Sequence, residues 1–314
     1  MNTPKQRLRE GAPILWVKFG FTLLALITLC GWVAPSTLGQ AREVKAELFG
    51  VGVLSVGEVY RGSFTPDGRA FYFFKKVTPE REDYRLFVSH LRAGKWSEPE
   101  RVNLGGDYSD LYPAISKDGK RMVFSSFRPA PGDTSPKPNA HLWYVDRQGN
   151  GWGEPVFMAA ANKLGHYHSW VEFGPDKAIY FRRTTPDWQS NEALITRWNG
   201  KEYAPPVPFA EAMRWKHWRS DLRIAGASPG PDGRVLFLDV ATRNPQTGRG
   251  ASDIWVSLKQ GHDWAEPKPL GAGINSDGYD VFPFFSPDGK DLYFVRDFAA
   301  FYRISLRDAL KSVQ

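Results

Sequence analysis

Phe285-Ser-Pro-Asp-Gly-Lys-Asp-Leu-Tyr-Phe294 decides the fold of this chain, because four similar stretches precede it in the sequence. In each copy an apolar residue leads into a Pro-Asp-Gly type of turn, and an aromatic or branched segment follows. Pro presets φ and Gly accepts positive φ, so these residues favour a tight turn between two strands. The five turn aspartates are Asp67, Asp118, Asp176, Asp232 and Asp288. Their regular spacing indicates one structural unit that is repeated along the chain.

Each unit contains four short apolar segments that are separated by turns. The third segment is typified by His141-Leu-Trp-Tyr-Val145, and the fourth by Gly94-Lys-Trp-Ser-Glu-Pro99. Four short strands per repeat are typical of a β-propeller blade. We therefore predict an all-β fold, a five-bladed β-propeller of four-stranded antiparallel blades. The predicted blades start near residues 57, 107, 166, 219 and 278.

The last repeat ends after its third strand, and the missing fourth strand is found at the other end of the domain. Residues 46–57 resemble residues 267–278, which carry the end of a fourth strand and the connection that follows it. We expect the N-terminal strand to complete the last blade and close the ring, because an open sheet edge invites aggregation. A six-bladed ring is the alternative.

The unit from Ser286 to Phe294 resembles the repeat of the TolB-like, WD40-like β-propellers. The resemblance covers about residues 46–306, which is nearly all of the chain after its leader. It implies a propeller fold. For function it implies two classes, since such repeats occur in periplasmic protein-binding propellers and in propeller enzymes.

The N-terminal residues 1–41 have the pattern of a secretory signal. Basic residues up to Lys18 precede an apolar run that ends at Ala34, and small residues follow up to Ala41. We expect a cleaved signal peptide over residues 1–41, with an uncleaved N-terminal anchor as the alternative. The remaining residues 42–314 are predicted to form a single propeller domain that is periplasmic or secreted.

The composition excludes some classes of partner and site. The formal net charge is +7, and three of these charges belong to the leader, so the remainder is only mildly basic. No cluster of Lys and Arg marks an electrostatic footprint for nucleic acid. The only cysteine, Cys30, lies in the leader, which leaves the predicted domain without a disulfide or a cysteine-based metal site.

Blade connectivity predicts which face of the disc carries a site. Strands alternate in direction, so the first and third turns of every blade lie on one face, which we call the turn face. The second loops and the connections between blades lie on the opposite face, which we call the loop face. The turn face carries the stereotyped turns, whereas the loop face carries the irregular segments. Because function concentrates in loops held by a rigid scaffold, we expect the site on the loop face.

The first strand of each blade should line the central channel, and polar residues stand near its start. They are Glu58, Asp110, His168, Asp221 and Asp280. At about 8 Å each carboxylate pair would repel by about 2 kcal/mol at an effective dielectric near 20. Such a ring could bind a cation or a cationic group. Alternatively, these residues hydrogen-bond backbone groups of neighbouring blades.

A catalytic interpretation uses the same residues. Two carboxyl groups about 5 to 9 Å apart serve as acid and as base or nucleophile in glycoside hydrolysis. Glu58 would then be the general acid, and Asp110, Asp221 and Asp280 would be the remaining carboxylates. Their similar phase in the repeat argues instead for a feature of the blade, since the two carboxylates of an enzyme usually have unequal surroundings.

Four tryptophans fall outside the repeat phase and are interleaved with His, Arg and Lys. They are Trp170, Trp188, Trp215 and Trp218. On the loop face they would form an aromatic and basic patch, and such residues are enriched at binding hot spots. The alternative is that these long segments cover themselves with large side chains. The pair His166 and His168, with His217, could hold a metal, but no spacing motif supports it.

The leading hypothesis is a non-catalytic binding propeller outside the cytoplasm, which uses its loop face to hold a protein, peptide or glycan. The alternative is a carbohydrate-active hydrolase or lyase with axial carboxylates. We expect no cofactor, with a divalent cation in the channel as the alternative. We also expect no nucleic-acid partner, membrane contact only through an uncleaved N-terminal segment, and a monomeric domain. The candidate ligand-binding residues are Glu58, Asp110, His168, Trp170, Trp188, Trp215, Trp218, Asp221 and Asp280.

Overall fold

The computed structural model describes residues 44–78, 80, 83–136, 138–213, 223–243 and 246–313. The predicted leader lies outside the described residues, as do Trp215, Trp218 and Asp221. The described chain is mostly β-structure in five antiparallel sheets, which confirms the prediction of a five-bladed propeller. Among the described residues, no helix is long and apolar enough to cross a membrane.

The ring is closed by the first strand, β1 (Glu47–Phe49), which joins the last blade. Leu48 lies opposite Tyr302 in an antiparallel pairing, so the N-terminal strand is the outer strand of blade 5. This confirms the predicted closure. Sequence similarity between residues 46–57 and 267–278 therefore reflects the same place in two blades.

Blades 1 and 2 share one plan, in which the outer strand is split into two short pieces that both pair with the third strand. The split falls at the Glu-Pro pair, because proline has no N–H to donate to the ladder. Their strands are β2 (Val59–Phe64), β3 (Ala70–Thr78), β4 (Asp83–Arg92), β5 (Lys95–Trp96), β6 (Glu100–Arg101), β7 (Asp110–Ile115), β8 (Arg121–Ser126), β9 (His141–Gln148), β10 (Gly151–Trp152) and β11 (Val156–Phe157).

Blades 3 to 5 follow the same order from the axis outward, and blade 4 repeats the split outer strand. Their strands are β12 (Tyr167–Phe173), β13 (Ile179–Thr184), β14 (Asn191–Thr196), β15 (Val207–Pro208), β16 (Arg223–Pro229), β17 (Val235–Arg243), β18 (Gly250–Gln260), β19 (Asp263–Trp264), β20 (Lys268–Pro269), β21 (Asp280–Phe285), β22 (Asp291–Arg296) and β23 (Ala300–Ser305). Two short helices, α1 (Phe209–Met213) and α2 (Leu306–Lys311), follow blade 3 and blade 5.

Aromatic side chains pack one blade against the next. Trp96 of blade 1 lies 6.0 Å, ring centre to ring centre, from Phe49 of blade 5. Trp152 of blade 2 lies 5.9 Å from Tyr72 of blade 1. The sequence repeat predicts this role for the tryptophans of the outer strands, and both contacts confirm it. Offset and edge-to-face ring pairs of this kind add stability beyond their buried area.

The Pro-Asp-Gly turns are held by their own side chains. In blade 1 the Thr65 hydroxyl donates to Asp67 Oδ1 at 2.6 Å, and the N–H of Arg69 donates to the same oxygen at 3.0 Å. Blades 2 and 5 repeat this arrangement with serine in place of threonine. These hydrogen bonds favour the ionised carboxylate and lower the pKa of Asp67. The turns are therefore rigid local units, as their sequence predicts.

Candidate functional site

The central channel is filled by residues that stand six positions before the turn aspartate in each repeat. They are Arg61, Tyr112, Trp170, Gly226 and Phe282. The strand register shifts at this point in all five inner strands. A shift of this kind is a β-bulge, which bends the strand and re-aims a side chain. Contacts between blades that are not neighbours in the ring show that these side chains reach the axis.

Three aromatic rings meet in the middle of the channel. The ring centre of Phe282 lies 4.5 Å from that of Trp170 and 5.9 Å from that of Tyr112. All three residues are buried and have positive φ, between 53° and 57°. A Cβ at Gly226 would lie 1.9 Å from the Trp170 indole, so the fourth position requires glycine. The prediction that Trp170 belongs to an exposed patch is wrong, because the bulge turns its side chain into the channel.

Arg61 crosses the channel from blade 1 and is completely buried. Its guanidinium forms an ion pair with Glu172 of blade 3, and Nη1 lies 3.4 Å from the carbonyl oxygen of Pro283 in blade 5. Burial lowers the pKa of Arg61 to about 9. Sequence reasoning missed this residue, although an arginine where the other repeats have aromatic residues or glycine was a detectable signal.

Asp239 is a second buried charge that sequence reasoning did not single out. Its carboxylate accepts hydrogen bonds from the Ser252 hydroxyl and from the N–H of Phe282, the latter at 3.3 Å. Burial raises the pKa of Asp239 to about 7, even though both hydrogen bonds favour the ionised form. Asp239 therefore links blade 4 to the inner strand of blade 5.

The described carboxylates that were predicted to ring the axis are instead paired within their own blades. Asp110 lies 3.3 Å from Arg128. Asp280 accepts from Arg296 Nε at 2.7 Å and from the Ser276 hydroxyl at 2.6 Å. Burial raises the pKa of both carboxyl groups. Asp110 and Asp280 are therefore not the pair of free carboxyl groups that glycoside hydrolysis needs.

The prediction that these polar residues share one position of the repeat is also wrong, because their distances from the turn aspartate differ. Asp110, His168 and Asp280 stand eight residues before the turn aspartate of their repeats. Glu58 stands nine residues before it, on the exposed approach to β2, where its carboxylate accepts from the Tyr60 hydroxyl at 2.9 Å. Asp221 lies outside the described residues. The position equivalent to Asp110 in blade 1 is the apolar Val59.

His168 is buried against His141 rather than directed at a ligand. The two Nδ1 atoms are 3.3 Å apart, and His168 Nε2 accepts from the N–H of Lys163 at 3.2 Å. Burial lowers the pKa of His168 to about 3, so the ring is neutral near pH 7. Both ring nitrogens are engaged, and the described residues contain no group of three or more side chains placed to hold a metal ion. His217 lies outside the described residues.

Trp188 is the most exposed of the described aromatic residues on the loop face, with 61% of its surface accessible. It occupies the fourth position of a Thr-Pro-Asp turn and has a φ of 60°. The Thr185 hydroxyl donates to Asp187 Oδ1 at 2.6 Å, as in the turns of the repeat. The indole lies 5.0 Å from the ring of Tyr167, which is 5.8 Å from that of Phe127. These three residues form a row, which we call the tryptophan row.

Other apolar side chains are exposed on the same face. Of the eleven large hydrophobic residues that are exposed in the described part of the chain, seven lie in or beside loop-face connections. They are Val51, Val56, Val77, Tyr108, Leu164, Trp188 and Tyr279. Tyr279 begins a second aromatic row, since its ring lies 5.4 Å from that of Phe298, which is 5.5 Å from that of Tyr60. Contiguous exposed apolar groups mark interaction surfaces, and on this face the two aromatic rows are the groups whose rings contact one another.

A large cavity opens on the turn face of the propeller. It has a volume of about 730 Å³ and lies where the first turns of the five blades converge. Half-buried aromatic rings line it, among them Phe64, Phe173 and Phe285. Glu172, which pairs with Arg61, also lies in its lining. The sequence prediction placed the site on the loop face and did not anticipate this cavity.

Comparison with known proteins finds solved structures that are similar to this chain at low sequence identity. No protein-family model matches the chain, and no curated protein sequence matches it. Among solved structures, a TolB-assigned protein from Agrobacterium tumefaciens is 17% identical, with a TM-score of 0.46 over 76% of this chain and 69% of that one. The chain is a five-bladed propeller that resembles the TolB-like propellers.

Two enzymes are similar to the chain at the same level. A periplasmic gluconolactonase from Pseudomonas aeruginosa is 13% identical, with a TM-score of 0.42 over 76% of this chain and 65% of that one. A glycoside hydrolase is 10% identical, with a TM-score of 0.47 over 82% of this chain and 90% of that one. Likeness at this level carries no conclusion about function, because one propeller scaffold hosts many unrelated functions.

Proposed function

We propose that this protein is a non-catalytic binding propeller that acts outside the cytoplasm and holds a protein, peptide or glycan against its loop face. The observation that carries the proposal is the presentation of Trp188. Its large side chain is mostly exposed, and its backbone has a conformation that residues other than glycine rarely adopt. Strained residues persist where the surrounding structure holds them, and they cluster at functional sites.

The surroundings of Trp188 also fit a binding role. Hydrogen bonds to Asp187 fix the backbone of the turn, and the ring of Tyr167 packs against the indole at 5.0 Å. Tryptophan loses few rotamers on binding and is enriched among the residues that dominate interface energies. Arg183, in the strand before this turn, is held by Glu192 at 2.8 Å and adds a polar rim.

The alternative function, a carbohydrate-active hydrolase or lyase, has less support. It requires carboxyl groups that are free to exchange protons with a substrate. Asp110 and Asp280 are each bonded to an arginine of the same blade, and Glu58 is exposed on the loop face.

Export is supported by the basic and apolar leader in residues 1–41.

The variant Trp188→Gly tests the proposal. Glycine relieves the positive φ, so we expect the variant to be as stable as the wild type or more stable by up to about 1 kcal/mol in urea unfolding. Peptides selected from a displayed random library, and glycans from an array, should lose at least tenfold in affinity for this variant. Val156→Ala, which removes an exposed apolar residue from an outer strand, is the control and should bind as the wild type does. Undiminished binding of every selected peptide and glycan to Trp188→Gly would contradict the proposal.

A further inference from the structure

The turn-face cavity has the size and the walls of a small-molecule site. Its volume of about 730 Å³ falls within the range of ligand pockets, which is about 300 to 1,000 Å³. Phe64, Phe173 and Phe285 come from blades 1, 3 and 5 and are only partly buried, so their rings face the open space. Trp198 adds a further flat surface on the side of blade 3. Such walls suit an apolar body.

Two lysines at the rim are departures from the repeat. Lys117 stands where the other four turns have proline, and Lys177 stands where the other four have glycine. Lys177 has a φ of 60°, close to the values of 67° to 70° at the equivalent glycines. This conformation costs free energy in every residue except glycine. Both lysines belong to adjacent blades and line the same side of the cavity.

The ammonium groups on this side lie near Asp118 without being bound to it. A hydrogen bond from Ser116 and, next, the charges of Lys120 and Lys177 lower the pKa of that carboxyl group. Within the described residues, Lys117, Lys120 and Lys177 form no ion pair, whereas Lys290 of blade 5 lies 3.1 Å from Asp288. Arg121 is not available in the same way, because it donates to both oxygens of Asp146 at 2.7 and 2.9 Å.

Four acidic residues line the cavity, and two of them, Asp146 and Glu172, are paired with arginines. Glu172 is paired with the buried Arg61 and accepts from the N–H of Phe173 at 2.9 Å. The carboxylate is therefore neutralised by a cation from beneath the cavity. Among the lining residues that form no ion pair within the described chain, Lys117, Lys120 and Lys177 exceed Asp118 and Asp232 by one positive charge.

We propose that the turn-face cavity binds a small amphipathic carboxylate, in which an apolar body contacts the aromatic walls and the carboxylate contacts Lys117 and Lys177. This site is separate from the loop face and does not depend on the function proposed above. Charge complementarity selects the carboxylate, and the apolar walls exclude a bare inorganic anion, which would leave them exposed to water.

Isothermal titration of the purified full chain with three matched probes tests the ligand class. Phenylbutyrate, phenylbutanol and phenylbutylamine share one apolar body and differ in the charge of one group. We expect phenylbutyrate to bind at least tenfold more tightly than the alcohol and the amine. Equal affinities for all three would overturn the proposal, since the lysines would then contribute nothing.

The double variant Lys117→Pro, Lys177→Gly tests the residues, because it restores the turns that the other blades use and should leave the fold intact. It should lose at least tenfold in affinity for phenylbutyrate and keep its affinity for phenylbutanol. Lys290→Ala is the matched control and should bind like the wild type. Undiminished phenylbutyrate binding by the double variant would overturn the assignment.

Two further binding experiments distinguish a small-molecule site from a peptide site and from the site proposed on the loop face. A short apolar peptide with a free C-terminal carboxylate should bind no better than its amidated form. A preference for the free carboxylate in the peptide, with no binding of phenylbutyrate, would assign the cavity to a protein partner and overturn the small-molecule proposal. Trp188→Gly should bind phenylbutyrate as the wild type does, so failure of one proposal is distinguishable from failure of the other.

Discussion

Asp239 shows how one buried residue makes the stability of the whole propeller depend on pH. Its ordinary carboxyl pKa is 3.8, and burial raises it to about 7 in the folded chain. Between these two values the folded state binds more protons than the unfolded state. The contribution of this group to the free energy of unfolding therefore falls as the pH rises from 3.8 to about 7. Above about pH 7 the contribution is constant.

Replacing Asp239 with Asn should remove this dependence. The amide oxygen of asparagine can accept from the N–H of Phe282. The Ser252 hydroxyl can rotate to accept from the amide nitrogen, because it can donate to the carbonyl oxygen of Val240, which lies 3.1 Å away. We expect the free energy of unfolding of the wild type, minus that of Asp239→Asn, to decline between pH about 4 and about 7. Urea unfolding at a series of pH values measures it.

Asp288→Asn is the control with the opposite sign. Hydrogen bonds, chiefly from the Ser286 hydroxyl, lower the pKa of Asp288 to about 2. Its stabilising contribution is present above the unfolded pKa of 3.8 and is lost as the pH falls towards about 2. A difference curve for Asp239→Asn that is flat between pH about 4 and about 7 would contradict the assignment of this window to Asp239.

At the scale of elements, the connections between blades are fastened to the third strand by side chains. Asn162 Oδ1 accepts from the N–H of Leu142 at 2.8 Å, and Asn275 Oδ1 accepts from the N–H of Ile254 at 2.8 Å. In the closing segment Ser55 takes this role, since its hydroxyl oxygen accepts from the N–H of Phe301 at 2.9 Å. One clamp thus recurs in three blades and satisfies backbone groups that the ladder leaves unpaired.

The clamp predicts a specific loss of stability for Asn275→Ala. The variant loses the bond from Ile254 and two bonds from Nδ2, which donates to the carbonyl oxygens of Ile254 and Leu270 at 3.0 and 2.9 Å. We expect the free energy of unfolding to fall by about 2 kcal/mol, because partly buried backbone groups remain unpaired. Asn103→Ala, which removes one exposed bond to the N–H of Gly105, should cost less than about 1 kcal/mol. Equal losses in urea unfolding would show that the clamp has no special role.

At the scale of the whole molecule, stability depends on closing the ring. β1 contributes only three residues, yet Phe49 contacts aromatic rings of both blades at the junction. Its ring centre lies 4.8 Å from that of Tyr293 in blade 5 and 5.9 Å from that of Phe71 in blade 1. The N-terminal strand therefore joins the first and last blades through side chains as well as through the ladder.

Phe49→Ala should weaken this junction without changing the backbone pairing. We expect a loss of about 2 kcal/mol in the free energy of unfolding, below the usual range for a fully buried phenylalanine because this ring is half-buried. Leu48→Ala is the matched control, since the neighbouring side chain is 52% exposed and should change stability by less than about 0.5 kcal/mol. Thermal and urea unfolding measure both variants, and equal losses would contradict the role of Phe49 in closure.

The sequence by itself determined the blade count, the turns and the closing strand. These features rest on local chemistry, because Pro, Asp and Gly shape a turn whatever surrounds it, and the repeat shows that chemistry several times over. The exposed Trp188 was also visible as a residue outside the repeat phase. Counting positions back from the turn aspartate would further have separated Glu58 from Asp110 and Asp280.

Only the tertiary structure decided which residues reach the axis and which charges are paired. A bulge in each inner strand turns Trp170 and Phe282 into the channel, and a strand pattern with a period of two does not reveal such a bulge. The pairing of Asp110 with Arg128 joins the inner strand of blade 2 to the loop after β8, and these residues become neighbours only in the folded blade. The turn-face cavity arises in the same way, because it exists only where turns that are distant in sequence converge around one axis.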